Sequence, residues 1–254
     1  MIEVTPSRLE LIALDGIPEI VPGDDLGRII ADAASDIGLV DDDVVVVTQK
    51  IVSKAEGRLV ELASVQPSAL AREWAERWGK DARQVELVLR ESASIVRMAP
   101  GGLIVSRTRH GLVCANAGVD VSNVGGGDVA SLLPLDPDAS ARGIREGIRE
   151  RTGVAPAVVL SDSFGRPWRN GIVNVAVGNA GMEPLLDLRR TPDAAGRDMQ
   201  ATVIAVADEL ASAADLVGGK VEQRPVVVVR GYAWRPSDAG ASVLVMDRER
   251  DLFP

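Results

Sequence analysis

Runs of aliphatic residues at two different periods divide the chain into elements. Val44-Val45-Val46-Val47, Val158-Val159-Leu160 and Val226-Val227-Val228-Val229 are short and unbroken, the pattern of strands buried on both faces. Glu10 to Ala13 forms a further short strand. Val173, Val175 and Val177 alternate with Asn174 and Ala176, which predicts a half-buried strand ended by Gly178 and Gly181. Helical spacing places Leu26, Ile29, Ile30, Ala33 and Ile37 on one face behind a cap at Asp24 or Asp25. The same spacing predicts helices over Pro67 to Gly79 (Leu70, Trp74 and Trp78 at fourfold spacing, the tryptophans as packing residues), from Asp81 (Val85, Val88, Leu89), from Asp136 to Arg151 (Ile144, Ile148) and over Val203 to Leu216. Ser94 to Met98, Leu103 to Ser106 and Leu112 to Ala115 form a meander, and residues 232–254 have no clear pattern. The mixture is a mixed α/β, or α+β, chain with no repeat and no obvious linker.

Composition narrows what such a chain does. Hydrophobic residues at 46% and charged residues at 26% suit a soluble globular protein, while aromatics at 3% require a core of Val, Leu, Ile and Ala. A formal charge of -9 argues against nonspecific nucleic-acid binding, which draws its affinity from Lys and Arg replacing phosphate counterions. Cys114 is the sole cysteine, so there is neither an intrachain disulfide nor a thiolate cluster for zinc, and a reducing cytoplasm is the expected home. Cys114 reads as a small buried strand residue, and His110, the sole histidine, as part of a polar turn. No stretch approaches the ~20 apolar residues of a membrane helix.

Candidate chemistry gathers where strands give way to polar residues. Asp162 and Ser163 follow the Val158 strand and set oxygen ligands at its end. Gly165, Arg166, Arg169, Asn170 and Gly171 come next, a turn that could seat phosphate and its metal ion or equally a surface hairpin with solvated arginines. After Val47, the polar tail Thr48 to Arg58 carries Gln49, Lys50, Ser53 and Lys54 at a strand's carboxyl end, the usual ligand edge of an open α/β sheet. Asp15 to Gly23 is a loop stiffened by Pro18 and Pro22. Asp120 and Asn123 lie three apart among glycines, spaced to offer a carboxylate to a hard cation and an amide to a base or sugar, or to cap Asx turns. Neither G-x-x-x-x-G-K-[ST] nor G-x-G-x-x-G occurs, so any nucleotide is held by another architecture.

Five of these stretches stand in one order: Gly16-Ile17-Pro18-Glu19; Thr48 to Arg58; Ala117-Gly118-Val119-Asp120-Val121-Ser122-Asn123; Asp162 to Gly171; and Val206-Ala207-Asp208-Glu209-Leu210. Together they resemble the coenzyme F420:L-glutamate ligase family. The resemblance implies a single catalytic unit over residues 1–254, built as two intertwined α/β lobes that are neither P-loop nor Rossmann folds, without the flavin-dependent reductase domain fused to some members. It implies a cytoplasmic homodimer that uses GTP to join L-glutamate to the carboxylate of F420-0, with further glutamates added by some members. An acyl phosphate would be the intermediate, and GDP and phosphate the by-products. By position, GTP contacts fall on Ile17, Pro18, Glu19, Ile20, Gln49, Lys54 and Asn123, and divalent-metal ligands on Asp120, Asp162 and Ser163. Two Mg²⁺ or Mn²⁺ ions per site, with K⁺ beside them, would act together with Lys54 and with Arg166 or Arg169. Where some members carry Glu or Gln after a glycine near the end of the late helix, this chain has Lys220. Two alternatives are an amino-acid ligase acting on another acid precursor, and a nucleotide- or deazaflavin-binding module without catalysis.

Overall fold

The structure, a computed structural model, describes residues 8–121 and 128–251. In chain order, β1 (Glu10–Ala13) leads through the proline-stiffened loop to α1 (Leu26–Ala33), β2 (Val44–Thr48), α2 (Gln49–Ala55) and β3 (Leu59–Glu61). Helices α3 (Ala69–Trp78) and α4 (Ala82–Glu91) precede the meander β4 (Ser92–Met98), β5 (Ile104–Thr108) and β6 (Val113–Ala115), then β7 (Val129–Ser131). The second half holds α5 (Pro137–Thr152), the long hairpin β8 (Ala157–Arg166) and β9 (Arg169–Met182), and the short pair β10 (Leu186–Asp187) and β11 (Val203–Ile204). It closes with α6 (Val206–Gly218), β12 (Val226–Arg230) and β13 (Pro236–Ser237).

The valine runs form the centre of a six-stranded sheet ordered β1-β12-β2-β8-β9-β13. Only β2 and β8 run parallel, with Val44 opposite Ala157 and Thr48 opposite Ser161; the other neighbours are antiparallel. Alternation sends the valines of one strand into two cores. Val45 and Val47 meet α1, α2 and α5 through Ile30, Val52, Ile144 and Ile148, whereas Val44 and Val46 meet α6 through Ala207, Leu210 and Ala211. A third cluster packs α3 and α4 (Ala71, Ala75, Val85, Val88) on Ile104 of the meander. Asp25 is the α1 cap, accepting from the Arg28 N–H at 3.0 Å, and Asp136 caps α5 by accepting from Ala139 at 2.9 Å.

Four sequence expectations change. The polar tail after Val47 is the short helix α2, which begins at the residue following the strand. Asp162 and Ser163 do not end β8, which continues to Arg166. Nor do Gly178 and Gly181 break β9; a Cβ on Gly178 would lie 2.5 Å from the Pro137 carbonyl oxygen, so glycine there permits α5 to approach the strand. The late helix begins at Val206, because Val203 and Ile204 pair with β10 instead. Of the tryptophans read as packing on α3, Trp74 joins the third cluster and meets Trp78 with ring centroids 5.9 Å apart; Leu70, at the same spacing, is exposed.

Candidate functional site

Parallel pairing places the ends of β2 and the middle of β8 side by side, and the site is built on that edge. Helix α2 starts there, so Gln49 is its first residue and is 2% exposed. Ser53, one turn on, donates from Oγ to Gln49 Oε1 at 2.8 Å, which leaves the Gln49 amide nitrogen to donate to the Asp162 carboxylate. Burial pushes the Asp162 carboxyl up to about 6 against the pull of the Ser163 backbone N–H; the nearby Asp120 carboxylate raises it further, and Gln49 and the Lys220 charge lower it.

Asp120 arrives from a different part of the chain. After β6, a tight turn over Asn116–Gly118 carries Ala117 at φ 52, and Asp120 then pairs with Ser131 of β7, its N–H donating to the Ser131 carbonyl at 3.1 Å and its carbonyl accepting from the Ser131 N–H at 2.7 Å. That backbone clasp turns its side chain to Lys50 Nζ at 2.7 Å. Two carboxylates from distant segments therefore come near enough for the Asp120 charge to act on Asp162, with Lys50 on Asp120.

Further along α2, Lys54 reaches back to the loop after β1 and pairs with Glu19 at 2.5 Å. Lys54 is largely buried and Glu19 exposed, so the contact fastens the loop to the helix. Within that loop Ile20 is 3% exposed, so its side chain belongs to the interior, and Ile17 is partly buried against the first core. Pro18 borders a shallow cavity of about 350 Å³ with Asp15, Gly16, Arg28 and Asp32.

Ser163 turns away from this group. In β8 it lies opposite Asn174 of β9, and successive residues of a strand point to opposite faces, so Asp162 meets α2 while Ser163 meets the end of α6. Its Oγ donates to Asn174 Oδ1 at 2.7 Å and accepts from Lys220 Nζ at 2.6 Å. Arg166 and Arg169 are not brought to the carboxylates: they pair at the tip of the hairpin, three residues beyond Ser163 and therefore roughly 10 Å further along the strand. Arg166 donates to the Asn170 carbonyl at 2.9 Å. Asn123 lies outside the described residues.

Lys50 was named from the sequence only as part of the polar tail, and Asn174 and Asp215 were not singled out as candidates; Asn174, 6% exposed in the structure, left a usable signal as a polar residue within an otherwise apolar alternation. Cys114 is buried, and burial with the Asp162 charge nearby pushes its thiol up to about 12, which makes it a packing residue and no nucleophile.

Among the described residues no group of three or more His, Cys, Asp or Glu is placed to hold a metal ion. Two carboxylates with an amide and a hydroxyl nearby are nonetheless the hard oxygen donors that Mg²⁺ takes when most of its shell is water and phosphate. Asp162 is raised first by burial and further by the Asp120 charge, and a divalent ion between the two carboxylates would offset both, so the residues fit such an ion.

A family model described as F420-0:Gamma-glutamyl ligase matches residues 16–231. The coenzyme F420:L-glutamate ligase of Methanothermobacter thermautotrophicus is 46% identical over 250 residues, covering 96% of this chain and 98% of that protein. Its counterpart in Methanopyrus kandleri is 46% identical over 253 residues, 97% of each chain, and that of Haloarcula marismortui is 42% identical over 251 residues, 96% of this chain and 95% of the relative.

Proposed function

Because the chain belongs to the F420-0:gamma-glutamyl ligase family, we propose that it joins L-glutamate to the carboxylate of F420-0 at the expense of GTP. The observation that carries this reading is the convergence of Asp120 and Asp162, 42 residues apart by their numbers, on the edge where β2 passes into α2. A carboxylate at neutral pH does not accept an amine until it is activated. Transfer of the γ-phosphoryl group of GTP to the F420-0 carboxylate forms an acyl phosphate and releases GDP. The glutamate amine then attacks the acyl carbon, the C–O bond to phosphate breaks, the amine loses a proton, and inorganic phosphate leaves. No enzyme nucleophile is needed, consistent with a protonated Cys114 and with His110 held on the Leu135 carbonyl at 3.1 Å.

What this chemistry requires is positioning and neutralisation of phosphate charge. Asp120 and Asp162 would hold a divalent ion, Mg²⁺ or Mn²⁺, which supplies positive charge to the phosphate oxygens. Gln49 orients the Asp162 carboxylate, and Ser53 fixes Gln49. Lys50 sits on Asp120 and is within reach of any phosphate bound there, while the Lys54–Glu19 pair holds the loop of residues 17–20 against the site, where its backbone amides can meet a nucleotide.

The test is incubation of the protein with F420-0, GTP, Mg²⁺ or Mn²⁺ and L-glutamate, followed by mass spectrometry for glutamyl additions and measurement of GDP and phosphate. Wild type should form the amide with one GDP per addition, and Asp162→Asn and Asp120→Asn should each lower turnover on the order of 10²-fold or more while keeping the wild-type circular dichroism. Equal turnover in both variants would refute the roles given to the carboxylates. Substitution of other amino acids or other acids for the two substrates separates this ligase from one with a different specificity.

A further inference from the structure

Phosphoryl-transfer sites commonly place two cationic centres against the reacting phosphates. Beside β8 the structure holds two oxygen-rich positions, and they differ in how they are filled. On the α2 side lie Asp120, which Lys50 Nζ contacts at 2.7 Å, and Asp162, which accepts from the Gln49 amide. On the α6 side lie the Ser163 hydroxyl, the Asn174 amide oxygen and the Asp215 carboxylate, and Lys220 Nζ contacts all three at 2.6, 3.1 and 3.0 Å. An ammonium has three donors, and here each has an oxygen to meet.

The backbone shows that this placement is built in. Helix α6 ends at Gly218, and Gly219 then adopts φ 69 and ψ -177, a region open essentially to glycine alone. A Cβ there would lie 1.9 Å from a Glu222 carboxylate oxygen. This reversal returns Lys220 toward the sheet, while Ser212 one side of α6 donates to the Asn174 carbonyl at 2.7 Å and fixes the helix to the same strand position.

We propose that Lys220 is a resident cation of the site, occupying the position of a second metal ion, so that the enzyme assembles its GTP complex with one divalent ion per site. The inference rests on the ligase reading above and replaces the two ions expected from sequence. The half-exposed ammonium, hydrogen-bonded to the residue that follows Asp162 in β8, would face bound phosphate directly while a single ion between Asp120 and Asp162 supplies the other centre.

The experiment counts Mn²⁺ bound to the full chain in the presence of a non-hydrolysable GTP analogue, by native mass spectrometry and by electron paramagnetic resonance, where two ions a few ångströms apart broaden each other's signal. Wild type and Lys220→Arg should bind one Mn²⁺ per chain with an unbroadened spectrum. Lys220→Gln, which leaves the three oxygens without their ammonium, should bind two and show the coupled signal, and Lys220→Ala serves in its place if the Gln variant does not fold. Two ions in wild type, or one ion in a folded Lys220→Gln or Lys220→Ala protein, would overturn the inference and leave the ligase reading standing. Failure of wild type to bind either the analogue or Mn²⁺ would sink the ligase reading and this inference with it.

Discussion

Asp208 offers a test of how the fold aims Asp162. Between Leu160 and Ser161 the β8–β9 register shifts: Leu160 lies opposite Gly178 and Ser161 opposite Ala176, leaving Val177 as an extra residue. Such a bulge bends the strand and disrupts the ladder locally. Here the Ala176 N–H donates to Asp208 Oδ1 of α6 at 2.8 Å. One residue beyond the shift stands Asp162. Asp208→Ala removes the acceptor and leaves a part-buried N–H without it, at a cost of about 1–3 kcal/mol. For a chain of this size that corresponds to a fall in Tm of roughly 2–4 °C per kcal/mol. Asp208→Asn keeps an oxygen for the same N–H and removes the charge.

The two variants should then separate with pH. Burial raises the Asp208 carboxyl above its ordinary value, with the Ala176 N–H pulling the other way, so the folded protein holds this proton more tightly than the unfolded chain. Its contribution is therefore most favourable below the unfolded pKa and is lost as pH rises through the folded one. Asp208→Asn should match wild type at acid pH and exceed it at alkaline pH, while Asp208→Ala should be weaker than Asp208→Asn throughout. Urea denaturation across pH reads both effects, and glutamyl transfer should fall in the Ala variant and survive in the Asn variant. An unfolding midpoint for Asp208→Ala equal to wild type, or an Asn variant as unstable as the Ala variant, would refute the assignment of Asp208 to the bulge.

Two further changes probe the scaffold. Asp43 has no exposed side-chain surface and is held by Arg230 through bonds of 2.8 and 2.7 Å, so Arg230→Leu strands a buried carboxylate and should cost about 3–5 kcal/mol in urea denaturation; adding Asp43→Asn should recover much of the loss, and a lack of recovery would refute the pairing. Hydrogen bonds from Ser68, then from Arg90, hold the Glu86 carboxyl below its usual range, so its stabilisation is present above the unfolded pKa and lost as pH falls through the folded one. Glu86→Gln should flatten the acid limb of the stability curve, and superimposable curves for the two proteins would count against that pairing.

The parts of this architecture that could be read along the chain are those whose cause is local. A run such as Val44 to Val47 has few ways to hide both sets of side chains except as an inner strand, and the caps at Asp25 and Asp136 act within three residues. Helix α2 is different. Its seven residues make too few turns for periodicity to show, and Gln49, Ser53 and Lys54 look like solvent-facing residues although they are buried against other parts of the chain. Gly178 misleads in the opposite sense, since a glycine that reads as a strand breaker is the residue that lets Pro137 touch a continuous strand. The approach of Asp120 to Asp162 was accessible only through family resemblance, because it depends on a meander, on pairing of Asp120 with the distant Ser131 and on a register shift between β8 and β9, and no local pattern around either aspartate announces these long-range pairings. Lys220 is more remote still, 57 residues from the hydroxyl it contacts and brought there by one glycine conformation. A charged side chain after a helix would ordinarily be solvated, and what draws this one inward is a set of three oxygens assembled from β8, β9 and α6. The candidate site thus lies where packing has overridden the local rule, at the bulge, at the glycine reversal and in the short buried helix.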